Sequence, residues 1–163
     1  MPNRWKPNVT VAALIERDGR FLLVEEETTD GLKLNNPAGH LDPGESPIEA
    51  CVREVLEETA HDFAPAALVG VYLNRFTRTR TGHDITYLRF AFAGTVGTHH
   101  EWRALDEGIV RTVWMTLDEL HASAARHRSP LVLQCIQDYL AGQRAPLALI
   151  HTDASVLQAT AAL

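Results

Sequence analysis

Cysteine is scarce: Cys51 and Cys135 are the only two in 163 residues. Two thiols cannot build a disulfide framework, and neither has the spacing of a metal-thiolate site. Cys51 reads as a small core residue. Long apolar runs are missing too. None approaches the roughly 18 residues of a membrane-spanning helix, and Met1 to Pro7 carries no hydrophobic leader. The cytoplasm is the expected compartment. Positive charge is also short, the formal net charge being −6, whereas a general nucleic-acid binder presents a basic face. The chain has no internal repeats. An ordinary soluble composition remains, at a length that suits one domain with a proper core. The expected domain spans 1–150, with 151–163 an unassigned tail.

Hydrophobic patterning gives the coarse order of elements. Val9 to Ile15 and Phe21 to Val24 are strands around an Asp18-Gly19 turn. Glu25 to Asp30 is polar and reads as a loop or strand end, and Leu32 and Leu34 bracket a short strand. Ala67 to Phe76 and Ile85 to Val96 alternate as two longer strands joined by Thr77–Gly82. Ile109 to Met115 is another strand, with Trp114 a core residue. Thr116 and Glu119 cap a helix, and a longer helix is expected from Ser129-Pro130 to Ala141, stopped by Gly142. Strands before, between and after helices predict an α/β/α sandwich around a mixed sheet.

Residues 39–60 carry the chemistry. Ser46-Pro47-Ile48-Glu49 has the form of a helix start: a serine N-cap, proline at the first helical position and a glutamate completing a capping box. At about 100° per residue, Ile48, Val52, Val55, Leu56 and Thr59 share one side, and Glu54, Glu57 and Glu58 share an arc of roughly 100° on the other. Glu54 and Glu58 are four apart, a like-charge spacing that costs about 0.2–0.5 kcal/mol. A bound divalent cation would offset it. Glu45 precedes the helix in a Pro-Gly loop, and Arg53 flanks the acidic arc with the guanidinium fork best suited to hold a carboxylate. A merely solvated acidic face needs no glycine and glutamate at set distances before it. Six specified positions would coincide by chance on the order of once in a hundred thousand chains.

The stretch resembles the signature of the Nudix hydrolases: Gly39, Glu45, Arg53, Glu54, Val55, Glu57 and Glu58 all stand at its positions. Ala60 replaces the usual glycine and His61 the usual aliphatic residue. Alanine is poorly suited to positive φ, so the helix is expected to run on for a residue or two. The resemblance covers roughly Lys6 to Ile150 and implies the Nudix-type α/β/α sandwich. It also implies Mg²⁺, with Mn²⁺ as the alternative, held by Glu57 and Glu58 first and by Glu54 as ligand or base. A carbonyl from Ala38 or Gly39 would help, with Arg53 and Glu45 behind the ligands. Asp106 or Glu107 is the expected distal base.

Phosphate contacts are expected from Arg128 and Ser129, from Arg75, Arg78, Arg80 and Arg89 on or beside the central strand pair, and from His40. The other histidines, His99 and His100 among them, read as loop residues. Leu34 stands where relatives often carry tryptophan. Pro37–Leu41, His127–Val132 and Gly142–Arg144 with Pro146-Leu147 resemble a bacterial phosphatase subgroup of the family. That likeness implies hydrolysis of thiamine diphosphate, its hydroxymethylpyrimidine diphosphate precursor and nucleoside di- and triphosphates. An ADP-ribose or dinucleoside polyphosphate hydrolase is the alternative enzyme, and a non-catalytic nucleotide sensor the alternative class; sensors usually lose signature carboxylates, and all remain here. The expected partner is a small diphosphate, with no nucleic-acid polymer and no membrane, for a monomer or homodimer.

Overall fold

The computed structural model describes residues 4–78 and 81–158, so Arg80 lies outside the described residues. Among them seven strands and four α-helices alternate: β1 (Asn8–Arg17), β2 (Arg20–Thr28), β3 (Gly31–Asn35), β4 (Ala38–His40), α1 (Pro47–Thr59), β5 (His61–Thr77), β6 (Asp84–His99), β7 (Ile109–Thr116), α2 (Leu117–Ala122), α3 (Leu131–Leu140) and α4 (Ala154–Leu157). The sheet runs β3-β2-β1-β6-β5, with β4 on β1 and β7 on β2. Only the β1–β6 pairing is parallel, so the sheet is mixed as expected. No described helix is long and apolar enough to cross a membrane.

Period-two alternation sends successive side chains to opposite faces, and both faces are covered. From β1, Leu14 faces one core, while Val11, Ala13 and Ile15 face the other. From β6, Ala91 and Ala93 join the first and Phe92 the second. Leu120 of α2 and Val132, Cys135 and Ile136 of α3 close the first layer. Ala50, Cys51 and Val55 of α1 close the second. This is the α/β/α sandwich, and Cys51 is fully buried within it, as expected. Trp114 packs partly buried against the α1 layer.

Local chemistry sets the boundaries. Asp18 and Gly19 both take positive φ, 51° and 72°, as a two-residue hairpin turn of the primed type requires. Ser46 accepts from the Glu49 N–H at 3.1 Å while Glu49 accepts from the Ser46 N–H at 2.8 Å, so the α1 capping box is complete. Thr116 and Glu119 repeat the motif at α2.

Three sequence-based expectations need correction, and one open reading is resolved. Of the loop and the strand end left open for Glu25 to Asp30, the strand end holds as far as Thr28, because β2 continues there, paired by β3 and β7. The stretch before α1 forms β4, whose Ala38, Gly39 and His40 pair with Ala12, Val11 and Thr10. The first helix does not run on. It stops at Thr59, and Ala60 takes the left-handed conformation at φ 56° with its N–H on Leu56 O at 3.0 Å. The Ala60 carbonyl accepts from the His100 N–H at 2.8 Å, and His61 already pairs with His99. The sheet thus overrides a local cost of about 1–2 kcal/mol. The histidines are not confined to loops: His61 and His99 stack across β5 and β6 with ring centroids 4.4 Å apart.

Replacing Ser46 by alanine should lower unfolding stability by about 1 kcal/mol. Urea titration of wild type and Ser46→Ala measures it; an unchanged midpoint would mean the box contributes nothing to holding α1.

Candidate active site

Strand β4 brings the motif loop against α1. The Ala38 N–H donates to Glu58 Oε2 at 2.8 Å. Gly39 lies so close that a Cβ there would overlap the Glu54 carboxylate, which is why a residue without a side chain stands at that position. The acidic side of α1 is therefore not solvated. Glu54 and Glu58 are 8% and 7% exposed, and they form one wall of a cavity of about 790 Å³.

Arg53 organises the remaining carboxylates. Its Nε and Nη2 donate to the two Glu45 oxygens at 2.9 and 2.7 Å, a two-pronged pairing. Nη1 donates to Glu54 at 2.7 Å and to Glu57 at 3.0 Å. Nη2 also reaches the His40 carbonyl at 2.9 Å and lies 3.6 Å from Asp42. The fork holds the Glu45 carboxyl below the usual carboxylate range, with help from the Asp42 N–H. Of the four motif glutamates, Glu58 alone has no contact with Arg53 among the described residues.

Burial pushes the Glu58 carboxyl up to about 8, and the Glu54, Glu26 and Asp106 charges add to it against the Ala38 N–H. Burial also raises Glu54, with Arg53 opposing. These side chains face one cavity with more negative charge than the local arginine neutralises. Hard oxygen donors on a rigid helix beside a closely approached backbone loop fit a divalent cation of the Mg²⁺ type. No three Asp, Glu, His or Cys side chains enclose an ion by themselves among the described residues. An ion there would complete its shell from water, main chain and substrate.

The expected residues divide by position. Glu54, Glu58, Gly39, His40, Asp106, Arg78, Arg89, Arg128 and Ser129 line the cavity. Glu57, Arg53 and Glu45 are outside that lining and form one ion-paired group, with the Glu57 side chain 33% exposed at the edge. Glu107 is exposed and outside the lining, whereas Asp106 is tied to α1 by its N–H on Glu57 O at 2.9 Å. Arg75 pairs with Asp84 on the neighbouring strand instead. Leu34 is core, 1% exposed.

Sequence reasoning missed Glu26, Asn35, Thr10, Phe76 and Tyr87, which also line the cavity. Glu26 was hidden because its polar run reads as a loop or the end of a strand, with no face assigned to it. The signal was the unbroken strand Phe21–Val24 leading into it, since a strand continued past Val24 alternates faces. Glu25 and Glu26 separate accordingly. Glu25 is clasped by Arg111 at 3.0 Å and Arg126 at 3.1 Å away from the cavity, while Glu26 enters the cavity wall.

The chain is similar to known proteins in both sequence and fold. A NUDIX domain model matches residues 4–135. Phosphatase NudJ of Escherichia coli and of Shigella flexneri are each 35% identical over 146 residues, covering 90% of this chain and 92% of the relative. A NUDIX hydrolase structure from Nitrosomonas europaea superposes with a TM-score of 0.84 at 54% identity, covering 91% of this chain and 98% of that one. A MutT NUDIX hydrolase from Burkholderia pseudomallei shares the fold at 20% identity and a TM-score of 0.67, over 82% of this chain and 98% of that one.

Two outcomes follow from the geometry. Without metal, the native state holds a proton on Glu58 that the unfolded chain has lost, so stability falls as pH rises from about 4.5 to about 8. The fall should be a few kcal/mol at most, and Mg²⁺ should largely remove it. Thermal melts at several pH values with chelator or Mg²⁺ test this; a flat metal-free profile would place the Glu58 carboxylate elsewhere. Second, Gly39→Ala must displace either β4 or the Glu54 carboxylate. It should weaken Mn²⁺ binding about 10–100-fold, as disturbing a ligand's support typically does, and unchanged affinity in a spin-resonance titration would refute the close approach.

Proposed function

The chain belongs to the Nudix hydrolase family, and from that premise we propose that it is a Mg²⁺-dependent hydrolase of phosphoanhydride bonds in small organic diphosphates. Mn²⁺ is the alternative ion. The substrate class is that implied by the phosphatase resemblance: thiamine diphosphate, hydroxymethylpyrimidine diphosphate and nucleoside di- and triphosphates. One observation carries the reading. A single cavity has buried carboxylates, Glu54 and Glu58, on one wall and three arginines, Arg78, Arg89 and Arg128, on its other sides. A metal-bound diphosphate needs both signs of charge in that order.

In this reading Glu54 and Glu58 present oxygens to the ion from inside the cavity, and Glu57 is the third carboxylate of the set. A main-chain carbonyl of Ala38 or Gly39 adds a donor that no side chain obstructs. Mg²⁺ bound there would neutralise phosphate charge and lower the pKa of a water poised for in-line attack on phosphorus. Arg53 fixes the rotamers of Glu45, Glu54 and Glu57 through four hydrogen bonds, and a fifth ties it to the His40 carbonyl. Glu45 in turn locks the guanidinium by pairing both oxygens with it. Arg78, Arg128 and His40 are the groups placed to take phosphate oxygens, while Arg89 lines the same cavity from a more buried position. The attacking water's proton passes to a cavity carboxylate, Glu54 or Asp106; Asp106 is favoured over Glu107 because it lines the cavity.

The test is a panel of these compounds, with ADP-ribose and a dinucleoside polyphosphate as comparators. Each is assayed with Mg²⁺, Mn²⁺ or chelator, resolving phosphate from pyrophosphate. Turnover of the small diphosphates should require the metal; turnover undiminished by chelator would end the proposal. Glu57→Gln should lower kcat on the order of a thousandfold, as loss of a transition-state stabiliser does. Glu45→Gln acts only through Arg53 and should cost about 10–100-fold. An equal loss in both, with both proteins folded, would show that Glu45 has been assigned the wrong role.

A further inference from the structure

The wall of the cavity away from α1 carries polar groups that the motif does not use. Glu26 of β2, Asn35 of β3 and Arg89 of β6 all line it. Glu26 Oε1 lies 3.3 Å from Arg128 Nε, yet is not aligned for a hydrogen bond and has none. The carboxyl does have the Asn35 side chain as a hydrogen-bonding neighbour, so the unmet capacity is at Oε1, and the side chain keeps 19% exposure, towards the cavity it lines. Arg89 is 7% exposed. Its hydrogen bonds are long, 3.4 Å to Asn36 Oδ1 and 3.5 Å to Asn35 Oδ1, and it forms no ion pair within 4.0 Å among the described residues. An under-used acceptor and an under-used donor thus share one wall. Leaving such groups short of well-aligned partners on a largely buried wall is costly.

A single ion does not satisfy both. A phosphate would suit Arg89 and be repelled by Glu26; a metal ion would suit Glu26 and be repelled by Arg89 and Arg128. The edge of a heterocycle bearing an N–H donor next to an acceptor satisfies both at once. Phe76 and Tyr87, stacked with centroids 5.7 Å apart, line the same cavity and offer apolar ring surface beside that edge.

We propose that Glu26 and Arg89 are specificity-determining residues that read the organic group of the substrate. Glu26 accepts from an amino N–H, and Arg89 donates to the ring nitrogen or oxygen beside it, so the preferred class is amino-bearing heterocycles such as a 4-aminopyrimidine. The inference rests on the hydrolase reading above, with the phosphates on the acidic wall and the organic group on this one.

Cytidine and uridine diphosphates differ in the donor and acceptor pattern of this edge. Calorimetry with their non-hydrolysable methylene-bridged analogues and Mg²⁺ measures the preference without turnover. Wild type should bind the cytidine analogue about 10–100-fold more tightly, the worth of a hydrogen bond to a charged acceptor. Glu26→Leu should bring the ratio close to one. Glu26→Gln, which can also donate to an oxo group, should reduce it and serves if the leucine variant does not fold. Arg128→Ala should retain the ratio. Equal binding of both analogues by wild type would overturn the proposal. So would loss of the ratio in Arg128→Ala, which would mean Glu26 acts only by holding Arg128. Absence of hydrolysis across the whole diphosphate panel alongside a preserved binding ratio would fell the hydrolase reading and leave only the recognition of the heterocycle standing.

Discussion

The whole site depends on what surrounds two carboxylates that are largely withdrawn from water. Glu54 and Glu58 point the same way from one helix, into the gap between α1 and β4. Isolated buried carboxylates are among the most costly groups a fold can hold, and they persist when charge or hydrogen bonds compensate them. Arg53 compensates Glu54, and through its other prongs Glu45 and Glu57. Glu58 receives only the Ala38 N–H. The molecule therefore has a built imbalance at one carboxylate, and that imbalance is what a dication relieves. The glycine at 39, the capping box at Ser46 and the loop holding Glu45 all serve to keep that geometry fixed.

The sheet explains why this wall faces arginines. β1 pairs in parallel with β6, and β4 lies on the other edge of β1. Thr10 is therefore flanked by Arg89 on one side and His40 on the other, residues that are 49 apart in sequence but one strand apart in space. The segment just before α3 adds Arg128 and Ser129 at the cavity edge, and the Arg128 N–H is pinned to Leu34 O at 2.8 Å. The two cores on the sheet faces hold these strands rigid, so the charged groups sit on elements that do not have to be ordered by the ligand. Preorganisation of that kind is where binding energy is saved.

Much of this was legible in the sequence for a simple reason. Helical periodicity and capping chemistry act over three or four residues, so Ser46, Glu49, Arg53 and Glu54–Glu58 specify their own arrangement. The position of Glu57 was less legible: the helical wheel placed it with Glu54 and Glu58, but β4 covers only part of that arc and Arg53 draws Glu57 to its edge. Features set by strand pairing were harder to read. β4 is three residues long with a glycine at its centre, and its pairing with β1 is a long-range fact that no local propensity announces. Ala60 shows the same limit, since its left-handed backbone is imposed by β5 starting at His61 and by the bond to His100.

Glu26 shows best how local reading fails at a functional wall. Three consecutive glutamates after an apolar strand look like the strand's solvated exit, and the composition of Glu25–Asp30 supports that view. The fold instead carries β2 on between β3 and β7 as far as Glu26, with a register shift between Glu25 and Glu26. Pleating then gives the two residues opposite fates. Glu25 is buried and neutralised by two arginines, a closed structural unit with no oxygen left over. Glu26 Oε1 is given an arginine at ion-pair distance but no aligned donor. Where one neighbour is satisfied so completely and the next is not, poor packing is a weak explanation, because the same strand supplied both. A polar group left incomplete on the wall of a ligand cavity is better understood as one whose partner arrives with the ligand.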